Sequence, residues 1–228
     1  MKIAEVFASI QGEGILSGVP SLFVRTSGCN LRCVWCDTPY TSWKPEGEEW
    51  SPARIREWVE SQPMYHHVVV TGGEPMIQPE IGELTRLLRE SGNHITIETA
   101  GTVVAEVECD LMSLSPKLKN STPWEREEGR WAATHERLRI QPEILRSLMT
   151  RFEYQLKFVV AEQADVEEVE RLCTELDADR LRVLLMPEGV NAETLRGRAP
   201  WLIEECKRRG FRYCPRLHIE VYGDRRGV

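Results

Sequence analysis

The sequence has no apolar run approaching the roughly 20 residues needed to cross a bilayer. Its first ten residues also lack the charged start and long hydrophobic stretch of a secretory signal. No membrane partner is expected, and a cytoplasmic location is. There is no excess of positive charge: 29 Lys and Arg stand against 36 Asp and Glu, for a net charge of −7, so no nucleic-acid partner is expected. No internal repeat, low-complexity tract or Gly/Ser-rich linker divides the chain. A composition of 41% apolar and 29% charged residues excludes a disordered chain, a collagen-like repeat and a disulfide-stapled miniprotein. At roughly 150 residues per domain, 228 residues predict one domain over 1–228.

What the sequence does contain is an alternation of short apolar segments with longer stretches of helical period. Segments 21–26, 67–71, 94–98, 110–114, 154–160 and 182–186 are nearly continuous in apolar residues, as parallel strands buried on both faces are. An additional hairpin-like strand is predicted at 2–10, and helices at 51–61, 79–91, 141–151, 165–176 and 192–209. Ser51 followed by Pro52 is an N-cap with proline in the first turn. Serial βα units either close a barrel or open into a twisted sheet, and six strands are too few for eight-strand closure. The predicted fold is therefore α/β, an open partial barrel of about six parallel strands. Residues 118–141, with Trp124, Trp131 and many charges but no strand signal, read as a loop-face insertion of no legible function. Trp201 and the late segment 217–222 offer a possible interface edge.

Seven cysteines are present, and Cys29, Cys33 and Cys36 fall in one CxxxCxxC run directly after a predicted strand. Strand-to-helix loops are where parallel βα folds place their chemistry. Three thiolates can hold three irons of a [4Fe–4S] cluster and leave the fourth open to a small molecule. Zinc is the alternative, and structural zinc usually takes four ligands, so one of His66, His67 or His94 would have to complete the site. Cys109, Cys173 and Cys206 sit in or beside apolar-periodic segments and read as small buried hydrophobes.

Other strand ends also carry polar groups. Thr71-Gly72-Gly73-Glu74-Pro75 follows the second core strand, where a double glycine lets backbone approach a ligand. Glu98-Thr99 and Ser115-Pro116-Lys117 end the third and fourth. Upstream of the cysteines, Ile10-Gln11-Gly12-Glu13 and Arg25 suit a polar heterocycle: an amide and a carboxylate can read the edge of a pterin or a guanine, and a guanidinium can clamp a carboxylate with two parallel bonds. The alternative for Arg25 is an ordinary ion pair.

The CxxxCxxC spacing, with an aromatic residue before its last cysteine, resembles the radical S-adenosylmethionine superfamily. SIQGEG, GCNLRCVWCDT, VVVTGGEP, ITIETAG, SLSPKL and the C-terminal GDRRGV, in that order, resemble the 7-carboxy-7-deazaguanine synthase family. The resemblance implies a [4Fe–4S] cluster whose unique iron chelates S-adenosylmethionine, which is cleaved reductively to a 5′-deoxyadenosyl radical and later regenerated. It implies conversion of 6-carboxy-5,6,7,8-tetrahydropterin to 7-carboxy-7-deazaguanine with loss of ammonia, on the route to queuosine and related 7-deazapurines. Cys29, Cys33 and Cys36 would hold the cluster. Trp35, Cys36, Asp37, Gly73, Glu98, Ser115, Pro116 and Lys117 would face S-adenosylmethionine, and Ile10, Gln11, Gly12, Glu13, Arg25, Thr71, His218 and Val228 the substrate. Thr38 would hold Mg²⁺ against the substrate. A small-molecule pterin, an electron donor such as flavodoxin or ferredoxin, and a second copy of the chain are the implied partners. An activating enzyme for a glycyl-radical partner shares the cysteine loop and is the enzymatic rival; a zinc-binding module is the non-enzymatic one.

Overall fold

The computed structural model describes residues 1–228. Nine strands form one sheet: β1 (Lys2–Ile10), β2 (Pro20–Thr26), β3 (Glu48–Glu49), β4 (His67–Gly72), β5 (His94–Thr99), β6 (Leu111–Leu114), β7 (Tyr154–Val160), β8 (Val183–Pro187) and β9 (Arg212–Tyr213). Their spatial order is β3-β1-β2-β4-β5-β6-β7-β8-β9. β1 runs antiparallel to both neighbours, and every adjacent pair from β2 to β9 is parallel. The two ends of this order, β3 and β9, are not paired with each other, so the sheet is an open barrel as the βα alternation predicts. All six predicted core strands form, each within a residue of its predicted ends, and so does the strand at 2–10.

Eight helices flank the sheet: α1 (Pro39–Ser42), α2 (Pro52–Glu60), α3 (Ile81–Glu90), α4 (Ala132–Leu138), α5 (Pro142–Arg151), α6 (Gln163–Leu176), α7 (Ala192–Arg209) and α8 (Leu217–Tyr222). Local chemistry sets their ends. The Ser51 hydroxyl accepts from the Arg54 amide at 3.2 Å to open α2, and the Asn191 side chain accepts from the Thr194 amide at 2.8 Å to open α7. Gly210, at φ 71°, closes α7 in the left-handed region. In α3 the buried Ile81, Leu84 and Leu88 share one face at helical spacing.

The strands alternate two environments. Val24, Val68, Val70, Ile95, Ile97, Met112, Leu114, Leu156 and Phe158 belong to the main core with the helices. Residues of opposite parity, among them Arg25, Thr71, Glu98, Lys157 and Val159, face the barrel interior. That second set builds the site.

Five elements are absent from the sequence reading. β3 and β9 have two residues each and carry no period. α1 and α4 are short. The segment 217–222, singled out in the sequence without a secondary structure, forms α8, tied down by the Leu217 amide on the Gly12 carbonyl at 2.9 Å and by burial of Ile219.

Candidate active site

A cavity of about 570 Å³ opens at the carboxyl ends of the parallel strands, within the size range of small-molecule sites. Its rim is the cysteine loop. Cys29, Cys33 and Cys36 all line it, none is in a disulfide, and Cys33 is buried beside Leu31 and Ala100. Burial, reinforced by the Glu74 carboxylate, pushes the Cys29 thiol up to about 12, and burial raises Cys33 as well. Three unbridged thiols on one cavity wall, Cys33 buried and Cys29 and Cys36 partly so, are the donor set a [4Fe–4S] cluster takes, with iron replacing their protons.

No three His, Cys, Asp or Glu side chains converge closely enough to hold a single ion. The histidines that would complete a zinc site are remote: His67 and His94 are the first residues of β4 and β5, at the opposite end of the sheet from the cysteine loop. His67 is committed there to Ser21 at 2.7 Å and Thr96 at 2.8 Å. The zinc-module alternative thus lacks its fourth ligand.

The double glycine is explained by crowding. A Cβ on Gly73 would stand 2.1 Å from the Gly28 carbonyl oxygen, and one on Gly72, at φ 134°, 2.1 Å from that of Thr26. The end of β4 therefore packs backbone to backbone on the cysteine loop, with the Glu74 amide donating to the Gly28 carbonyl at 2.9 Å. The Glu74 side chain is fully buried and accepts from the Thr99 hydroxyl at 2.6 Å, the Ala100 amide at 2.8 Å and the Met76 amide at 3.1 Å. It holds the turn. Opposite the cysteines, Lys117 Nζ donates to Ser115 Oγ at 2.8 Å and stands 5.7 Å from the centre of the Trp35 ring.

The floor is a network of charges. Glu98 accepts from Gln11 Nε2 at 3.2 Å and from Thr71 Oγ1 at 2.9 Å, and Lys157 Nζ lies 3.8 Å from it. Lys157 also donates to Glu13, Arg216 donates to Glu13 at 3.0 Å, and Arg216 reaches on to Asp37. Burial alone would raise the Glu13 carboxyl; the Lys157 and Arg216 charges outweigh it and hold Glu13 well below the usual carboxylate range. Arg216 lowers Asp37 against its own burial in the same way. Burial lowers His218, which closes this side from α8. A Cβ on Gly12 would stand 2.0 Å from His218 Nδ1, so the glycine makes room for the ring.

Arg25, near the end of β2, gives only its Nε to the protein, donating to Glu5 at 2.7 Å. The ion-pair alternative is therefore real, and both Nη groups of this cavity-lining residue are left without a hydrogen-bond partner in the protein. Tyr40 and Arg226 also donate to Glu5, the latter bringing the tail over the site. Residues 224–228 line the cavity.

Nearly every residue singled out in the sequence lines this one cavity: Ile10, Gln11, Gly12, Glu13, Arg25, Trp35, Asp37, Thr38, Thr71, Gly73, Glu98, Ser115, Lys117, His218 and Val228, with the three cysteines. Pro116 is the exception; it is buried in the chain between Ser115 and Lys117. Glu98 stands among Gln11 and Thr71 rather than beside Ser115 and Lys117, and Glu13 is saturated by two cations, so it positions them. Sequence reasoning missed Glu5, Tyr40, Lys157 and Arg216. Lys157 had a signal, a lone cation in the apolar run YQLKFVV, the same signal that singled out Arg25 in SLFVRT.

Residues 23–116 match the family model of the radical SAM superfamily. The chain is 45% identical over 227 residues to a 7-carboxy-7-deazaguanine synthase of Rhodopirellula baltica, covering 99% of this chain and 88% of that protein. It is 41% identical to one of Halobacterium salinarum, covering 98% and 91%. The crystal structure of QueE from Escherichia coli superimposes with a TM-score of 0.72 at 28% identity, over 95% of this chain and 94% of that one. SuiB of Streptococcus suis, at 16% identity and a TM-score of 0.57 over 84% of this chain and 47% of that one, shares the fold. With near-complete coverage in both directions by the first two relatives, the chain belongs to the 7-carboxy-7-deazaguanine synthase family of radical S-adenosylmethionine enzymes.

Proposed function

We propose that this chain is a carbon–nitrogen lyase that converts 6-carboxy-5,6,7,8-tetrahydropterin to 7-carboxy-7-deazaguanine with loss of ammonia, in 7-deazapurine biosynthesis. The observation that carries the reading is the union, in one cavity, of the three cysteines at its rim with Gln11, Arg25, Thr71 and Glu98 on its floor. When bound, the cluster and S-adenosylmethionine supply an electron and a hydrogen-abstracting radical. Cys29, Cys33 and Cys36 hold the cluster; Trp35, Asp37, Gly73, Ser115 and Lys117 face S-adenosylmethionine.

The chain's own residues orient the pterin. The free Nη groups of Arg25 clamp the substrate carboxylate, with Glu5 and Tyr40 fixing the guanidinium plane from behind. Glu98 holds Gln11 and Thr71 in place as donors and acceptors to the ring. His218 and Val228 cover the ring from the C-terminal side and exclude water.

Mg²⁺ belongs to the same reading through Thr38, which opens α1 and whose hydroxyl has only long contacts, 3.4 Å from the Thr41 hydroxyl and 3.8 Å from Cys36 Sγ. Since the neighbouring Asp37 is committed to Arg216, an ion there draws its remaining oxygens from substrate and water. The reading also includes one domain, a flavodoxin or ferredoxin as electron donor, a homodimer, and the reducing cytoplasm that seven free thiols suit. Anaerobically reconstituted protein, given S-adenosylmethionine, reductant, Mg²⁺ and the carboxytetrahydropterin, is expected to yield a product lighter than the substrate by one ammonia. A Cys33→Ala chain should yield none. Unaltered substrate with active wild-type cluster refutes the reading.

A further inference from the structure

The segment 118–141, opaque in the sequence, is packed against the cysteine loop. Two loop amides flank Cys33, and this segment takes both: the Val34 amide donates to the Ser121 carbonyl at 2.8 Å, and the Arg32 amide donates to His135 Nδ1 at 3.1 Å. The two anchors are joined to each other. Ser121 Oγ lies 2.8 Å from His135 Nε2 and 2.6 Å from the Leu118 carbonyl. A serine hydroxyl has one hydrogen, and the Leu118 carbonyl can only accept, so that hydrogen goes to Leu118. His135 Nε2 therefore carries a proton and donates to Ser121, which leaves Nδ1 as the bare nitrogen that the Arg32 amide needs. Burial of the ring lowers its pKa to about 4, in keeping with a neutral imidazole. Further contacts follow the same path: Trp35 Nε1 donates to Asn120 Oδ1 at 3.2 Å, and the Arg32 guanidinium sits 4.8 Å from the centre of the Trp131 ring.

We propose that His135 is a positioning residue for the iron–sulfur cluster: in its Nε2-protonated form, locked by Ser121, it fixes the amides on both sides of Cys33 and so holds that thiolate in the geometry of the loaded site. His135 touches neither the cluster nor substrate. It acts through the Arg32 amide, and residues 118–141 are the clamp that carries it. This rests on the cluster assignment made above.

Two near-isosteric variants separate this role from simple packing. The amide of His135→Asn overlays Nδ1 and can still accept from Arg32, whereas that of His135→Gln overlays Nε2, keeps Ser121 and abandons Arg32. Reconstituted wild type, His135→Asn, His135→Gln and Ser121→Ala are compared anaerobically for the rate of iron release to a chelator and for the electron paramagnetic resonance spectrum of the reduced cluster. His135→Asn should match wild type. His135→Gln should release iron roughly threefold to tenfold faster, the scale of one lost hydrogen bond, with a shifted spectrum. Ser121→Ala, which frees the imidazole to take the other tautomer, should move the same way and keeps the test open if His135→Gln does not fold. Release rates and spectra identical to wild type in both His135→Gln and Ser121→Ala overturn the proposal. So does equal damage in His135→Asn and His135→Gln, which marks a packing role. Wild type that takes up no iron overturns the cluster assignment instead, a different failure.

Discussion

Glu13→Gln is the sharpest perturbation of the cavity floor, because it removes one charge and almost no volume. Glu13 has a side chain 14% exposed and is the shared partner of Lys157, 6% exposed, and Arg216, 7% exposed. Breaking a buried ion pair by neutralising one partner costs about 3–5 kcal/mol, since a charge is left without compensation. Here the loss is smaller. The glutamine oxygen still accepts one bond, Glu98 remains 3.8 Å from Lys157, and Asp37 remains on Arg216. An expected loss of about 2–3 kcal/mol corresponds to roughly 4–12 °C in melting temperature for a chain of this size.

The pH dependence follows from the direction of the shift. Glu13 is depressed in the folded chain, so its contribution is complete above the unfolded carboxyl value near about 4.3 and is lost as pH falls toward the depressed one. Lys157 is raised, so its contribution is complete below its unfolded value near about 10.4 and is lost only as pH rises past it. The difference between wild type and Glu13→Gln should therefore be flat from about pH 5.5 to 8. Adding Lys157→Met removes the orphaned cation, so the double variant should be more stable than the sum of the single losses predicts, by at least about 1 kcal/mol. Urea or thermal unfolding of the anaerobic proteins measures all four corners. A Glu13→Gln loss under about 0.5 kcal/mol, or strict additivity in the double variant, refutes the coupling.

Arg25→Lys keeps the charge but loses the fork, so substrate binding should weaken by about 1–3 kcal/mol while cleavage of S-adenosylmethionine is spared; equal losses in both assays contradict a carboxylate clamp. Gly12→Ala places a methyl on the His218 ring and should displace α8, costing about 1–3 kcal/mol in stability and raising the Michaelis constant of the substrate; unchanged kinetics dissociate His218 from the pocket. Thr38→Ala should abolish stimulation by added Mg²⁺ while leaving iron content intact, and full stimulation in that variant removes the ion from Thr38. Deleting 224–228 removes the Arg226 contacts to Glu5 and Glu46 and should raise the Michaelis constant with iron content unchanged; wild-type kinetics return the tail to a passive role.

How much of this was legible in the sequence depended on range. The parallel strands announced themselves because both their faces are apolar except where a residue points into the cavity, and that exception is what exposed Arg25. Lys157 obeys the same rule in β7 and could have been found with it. Arg216 could not: it follows the two-residue strand β9, and its partners Glu13 and Asp37 lie 203 and 179 residues away in sequence. The glycines of TGGEP were legible as backbone-approach positions, but what approaches the Cβ positions is the backbone of Thr26 and Gly28. Segment 118–141 stayed opaque because its work is done by one main-chain carbonyl and one imidazole reaching backbone amides nearly 90 residues or more upstream, which leaves no period behind.

The most direct test is a simultaneous count of products from one reaction. Under anaerobic turnover with 6-carboxy-5,6,7,8-tetrahydropterin, ammonia and 7-carboxy-7-deazaguanine should appear in equal amounts, while total S-adenosylmethionine stays constant over many turnovers. Accumulation of 5′-deoxyadenosine without either product, from protein that carries its full iron and sulfide, contradicts a cavity built for this pterin.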